Sequence, residues 1–180
     1  MTLNVNSIWR DIFTFRKKSL RYKISRRDFY EGRNFLNSTG RVLNLIHQKS
    51  SDIFQVERPI RFYGLSFGVD QKLATKHLGK PNYIANVKLP LKNHKILCYR
   101  LSISHVKCVL QLHFLNNIFF LGVIEQKNAF DSSDQEIANL VRHKYGVDDI
   151  HWVGTIKDIN KNSIEISNGA VQRLVYTSGD

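Results

Sequence analysis

From Arg61 to Ile124 almost every structural boundary carries its own stop signal, which leaves this stretch few ways to fold. Ile60 to Phe67 reads as a strand, with Gly64 and Gly68 at a bend or close contact. Asp70 is placed to cap a short helix whose apolar stripe is Leu73, Ala74 and Leu78. Gly79 followed by Pro81 ends that helix. Strands follow at Tyr83 to Leu89, Lys95 to Ile103, Val106 to Leu115 and Ile118 to Ile124.

Two turns set the expected registers. Asn116-Asn117 suits a two-residue turn, because Asn tolerates positive φ. It would pair Phe114 with Phe119, Leu112 with Leu121 and Leu110 with Val123 on one apolar face. A hairpin turning at Ser104-His105 places Cys108 opposite Leu101, so Cys98 and Cys108 fall on opposite faces of the sheet. Two free, mostly buried thiols fit a reducing compartment.

The flanking regions are helical before and mixed after. Ser7 can cap a helix over residues 8–18. A second helix starts near Arg26, where Ser25 and Asp28 stand at capping-box spacing, and Val42, Leu43, Leu45 and Ile46 belong to a third. Lys49 to Glu57 reads as a linker. Downstream, Ser133 and Glu136 form a capping box for a helix with Ile137, Leu140, Val141 and Tyr145 on one side and Gly146 past its end. Short strands are expected near His151–Ile159, Ser163–Ser167 and Val171–Tyr176, the last two joined by the hairpin signal Asn168-Gly169. The expected architecture is α+β: a mostly antiparallel sheet with flanking helices over residues 59–180, preceded by a basic helical region over residues 1–58.

Charge supplies the functional signal. The net charge is +12. Residues 1–60 hold twelve Lys/Arg against five Asp/Glu, residues 61–128 ten against two, and residues 129–180 five against eight. Arg16, Lys17, Lys18, Arg21, Lys23, Arg26 and Arg27 put seven positive charges into twelve residues with no acid among them. Leu20, Tyr22 and Ile24 alternate with those charges, so Tyr22 could stack on a base, or the apolar residues could dip into a lipid interface, while the cations hold phosphates. The bland alternative is a solvated helix face with a few apolar residues docked on the domain, since charge runs are usually soluble surface.

Catalytic chemistry has little support in the chain. The histidines show no HxxxH spacing and no CxxC accompanies them, so no metal and no cofactor is expected. No GxSxG, Walker loop or GxGxxG is present. His113 is expected to be a half-exposed sheet histidine, on the side away from Phe114. Asp148, Asp149, His151 and Asp158 could bind a cation, but a solvated helix-to-strand loop is the better reading.

Phe62-Tyr63-Gly64-Leu65-Ser66-Phe67-Gly68, then Leu73, Ala74 and Leu78-Gly79-Lys80-Pro81, resembles the opening of small SmpA/OmlA-like (BamE-like) domains. The resemblance covers about twenty residues. It implies an α+β fold of protein-binding type without a catalytic site. The chain lacks the lipoprotein signal and lipidated cysteine of that family, which argues against an outer-membrane assembly role.

The leading expectation is a cytoplasmic, non-catalytic binding or accessory protein whose basic N-terminal surface engages an acidic protein, an anionic membrane or nucleic acid. The competing readings are an enzyme with a dispersed polar site, marked by convergence of His113, Gln111, Tyr99 or Arg100 in a pocket, and an inhibitor or immunity-type protein.

Overall fold

The computed structural model describes residue 30 and residues 52–87, 91–126, 136–149, 151–166 and 173–179. Its strands are β1 (Ile53–Val56), β2 (Tyr83–Val87), β3 (His94–Ile103), β4 (Val106–Leu115), β5 (Ile118–Gln126), β6 (Gly154–Asp158), β7 (Ser163–Ile166) and β8 (Arg173–Thr177). They form one sheet in the order β1-β6-β7-β8-β5-β4-β3-β2. Two helices accompany it: α1 (Gln71–Leu78) and α2 (Glu136–Tyr145).

This corrects the α+β expectation. A single mixed sheet dominates, with β1 parallel to β6, and the described helices are only eight and ten residues long. The basic helical region expected before it lies outside the described residues, apart from Tyr30. β1 occupies the stretch read as a linker. Its pairing partner β6 is about a hundred positions away, and local pattern carries no trace of so distant a ladder.

The middle of the sheet follows its sequence signals. Asp70 caps α1 through Oδ1, which accepts from the Leu73 amide at 2.7 Å, and Gly79 ends it at φ 81°. Asn116 and Asn117 both take positive φ in the β4–β5 turn. Ser104 and His105 do so in the β3–β4 turn, and Cys108 pairs with Leu101 as expected. Ile60 to Phe67 is not a strand. Tyr63 (φ 51°) and Gly64 (φ 85°) fold it into a tight turn, closed by reciprocal Phe62–Leu65 backbone bonds of 2.9 Å.

One irregularity decides what the sheet presents on each side. Phe114 pairs with Phe119, but the register shifts beyond His113, so Leu112 meets Gly122 and Leu110 meets Ile124. Phe120 is the extra residue of a β-bulge. The expected Leu112–Leu121 and Leu110–Val123 pairs therefore do not form. Period-2 alternation then sends Leu121 and Val123 to the same side as His113.

The first face carries the main core: Leu97, Tyr99, Leu110, Leu112, Phe114, Phe119, Ile156, Ile164 and Tyr176, covered by Ile60, Phe62, Leu65, α1 and α2. The second face carries Ala85, Ile96, Cys98 and Val109 in one cluster with Tyr30, and Leu121, Val123 and Val175 in another.

Candidate functional site

The second face is where polar chemistry gathers. By register, His94, Arg100, Gln111, His113, Glu125 and Arg173 lie on it together with Cys98. Alternation puts them there, since each occupies the parity opposite to the main core.

His94 and His113 form its centre. They are 1% and 0% exposed, their rings are stacked at 5.2 Å, and His94 Nε2 lies 3.0 Å from His113 Nδ1. Phe120, delivered by the bulge, flanks both rings at 5.8 and 6.3 Å. Burial pushes both imidazoles down from their ordinary pKa, and for His113 the neighbouring His94 adds to the effect. The pair is thus held neutral, with one ring donating to the other. His113 was expected half-exposed; two strands away from any edge, with Phe120 beside it, it is fully buried.

A second polar line runs across the strands. Gln111 Nε2 donates to Glu125 Oε2 at 3.2 Å, and Arg173 Nη2 lies 3.8 Å from Glu125 Oε1. At the β2 side Tyr30 is 3% exposed, stacks on Tyr83 at 4.9 Å with the rings 4° from parallel, and lies under the Arg100 guanidinium at 4.9 Å.

The four residues expected to mark an enzyme pocket do not converge. Gln111, His113 and Arg100 share the second face, while Tyr99 sits on the first, where its hydroxyl donates to Gly79 O at 3.2 Å. The thiols are poor nucleophiles: burial pushes Cys108 up to about 12 and raises Cys98 further, so both stay protonated.

The acidic cluster separates into a loop and a buried knot. Asp148, Asp149 and His151 are exposed, and Asp149 Oδ1 accepts from the His151 amide at 2.8 Å. Asp158 is 2% exposed and accepts from the amides of Ile60, Asn160 and Asn162 and from Asn162 Nδ2 at 2.8–3.0 Å. The solvated-loop reading holds for the first three residues and fails for Asp158, whose tie to Ile60 spans 98 positions. Among the described residues, no group of three His, Cys, Asp or Glu is arranged to hold a metal ion.

Positive charge is the other concentrated feature. Among described residues 61–126, Arg61, Lys72, Lys76, Lys80, Lys92, Lys95 and Lys107 are exposed. The acids in that range are Asp70, committed to its helix cap, and Glu125, on the Arg173–Gln111 line. Near the end of α2, Lys144 Nζ lies 5.1 Å over the Tyr145 ring, and Arg58 Nη1 reaches Lys144 O at 3.4 Å. Burial, with Arg58 and Arg61 nearby, pushes the Lys144 ammonium down to about 8.

Arg16, Lys17, Lys18, Arg21, Tyr22, Lys23, Arg26 and Arg27 lie outside the described residues. Sequence reasoning counted the charge excess beyond them but named no site residue there. The excess was legible as ten cations against two acids over residues 61–128, and only the fold shows that seven of the cations face solvent. Among the described residues, no helix is long and apolar enough to cross a membrane. No protein-family model, curated protein or solved structure matches the chain.

Proposed function

We propose that this is a non-catalytic binding protein that engages an anionic partner through a basic surface, to which the segment Arg16, Lys17, Lys18, Arg21, Tyr22, Lys23, Arg26 and Arg27 contributes. The observation that carries the reading is the charge imbalance of one part of the sheet domain: seven exposed cations among described residues 61–126, against two acids already engaged within the fold. Such a surface raises the local concentration of anions and speeds their encounter. The basic segment adds to that charge by its sequence, seven Lys/Arg in twelve residues with no acid. Tyr30, three positions after Arg27 in the sequence, packs on the second face. The reactive groups favour binding over chemistry, since the thiols are protonated and the histidine pair is buried and neutral.

The test is retention on heparin and on anionic liposomes as salt is raised. Wild-type protein should elute late from heparin, and a variant with the seven Lys/Arg of residues 16–27 changed to Gln should elute markedly earlier. Unchanged retention of that variant on both matrices would remove the segment from the binding surface.

A further inference from the structure

Near α1 a corner of the first face is left uncovered. Leu97 and Tyr99 are buried with Ala74 and Leu78 in the main core, yet Ile84 and Asn86 on β2 and Lys95 on β3, which share that face by register, remain exposed. α1 turns Ala74 and Leu78 inward and leaves Lys72, Leu73, Lys76 and His77 exposed, with Lys80 just past its end. Leu73 is 50% and Ile84 45% exposed. Lys72 and Lys76, one turn apart, lie on the outer side of α1 beside Leu73, and Lys80 follows the helix end. Asp70 is the nearby acid, and its carboxylate is turned onto the Leu73 amide.

Lysines beside exposed aliphatics such as Leu73 and Ile84 are suited to an anionic lipid surface. The ammonium groups meet headgroup charge, and the apolar side chains enter the headgroup boundary. Nucleic acid fits less well, because binding a strand by its bases uses aromatic platforms. The large apolar residues exposed among the described residues are Ile53, Leu73, Ile84, Ile118, Val153 and Ile159, all aliphatic. We infer that the outer face of α1, with Ile84 and Lys95, is a peripheral docking surface for an anionic lipid bilayer. The inference rests on the proposed affinity for anions and names the partner, but it uses different residues.

Co-sedimentation with vesicles tests it, using phosphatidylcholine alone and phosphatidylcholine mixed with phosphatidylglycerol. The full chain should bind the mixed vesicles and leave the neutral ones. Lys72→Gln with Lys76→Gln should weaken that binding by about fivefold per lysine. Leu73→Ser should leave low-salt binding largely intact and abolish the part that survives high salt, because only the charge contribution is screened. All three positions are exposed, so circular dichroism and the Tm should not change. Wild-type partitioning by the lysine double variant would overturn the inference, as would equal binding to neutral vesicles. Loss on neutralising residues 16–27, with no loss on changing α1, would keep the proposed function and discard this surface. Binding of a single-stranded oligonucleotide, but not of vesicles, with sensitivity to Lys72 and Lys76 would reassign the surface to nucleic acid. Failure of the full chain to bind heparin, vesicles or oligonucleotide would remove both readings.

Discussion

Phe62 packs against Gly122 so closely that a methyl group added at position 122 would overlap the Phe62 ring. The contact joins the tight turn before α1 to the middle of β5, and Phe119 and Tyr176 close around the same ring at 5.7 and 5.0 Å. Gly122→Ala should therefore destabilise the fold by about 1–3 kcal/mol through overpacking, and Phe62→Ala by about 3–5 kcal/mol through the cavity it leaves. Urea unfolding followed by Trp fluorescence measures both. In the Phe62→Ala background, Gly122→Ala should cost less than it does alone, since its methyl then enters vacated space.

The buried His94–His113 pair gives stability a defined dependence on pH. Both groups have folded-state pKa values below the ordinary 6.5, so both are neutral, folded or unfolded, at higher pH and contribute nothing there. As pH falls through 6.5 the unfolded chain takes up protons that the folded chain refuses, and stability declines by up to about 1.4 kcal/mol per pH unit for each group. Melting temperature across this range should fall more steeply for wild type than for His113→Gln, which removes one of the two sites. Identical pH slopes would show that the pair is not held neutral.

Tyr30 is the described contact between the N-terminal part of the chain and the second face of the sheet. Tyr30→Ala removes the stack on Tyr83 and the Arg100 contact from a buried position, at a cost of about 2–4 kcal/mol. Cys98 belongs to the same cluster, so in a Cys108→Ser background its labelling by a disulfide reagent should speed up severalfold with Tyr30→Ala. Unchanged labelling would separate Tyr30 from the protection of that thiol.

Asp158 offers a sharper test than a bulk stability change. Each carboxylate oxygen accepts two hydrogen bonds, one pair at Oδ1 from Asn160 and Asn162 amides and the other at Oδ2 from the Ile60 amide and Asn162 Nδ2. Asn in its place turns an amide nitrogen toward two of those donors, so Asp158→Asn should cost about 2–3 kcal/mol. Amide hydrogen exchange should rise at Ile60 or at the pair Asn160 and Asn162, depending on which oxygen is kept. A variant with wild-type exchange at all three amides would contradict this account.

What the sequence alone determined is what short-range chemistry controls. Asp70, Gly79 and Gly146 mark helix ends, and Asn116-Asn117 and Ser104-His105 mark turns, because a cap or a positive φ depends on a few adjacent residues. Cys98 and Cys108 were placed on opposite faces by counting from one turn. The net positive charge was equally legible.

Tertiary structure decided the rest. The bulge at Phe120 reset the β4–β5 register, and with it which face receives Leu121, Val123 and the environment of His113. It rides on a turn whose residues look the same with or without an extra residue after it. β1 found β6, Asp158 found Ile60, and Tyr30 found Tyr83 across separations that no periodicity records. Burial is a property of those long-range contacts. It made His113 a neutral core group instead of a half-exposed one, and it left Lys72, Leu73 and Lys76 at the surface, where a partner can reach them.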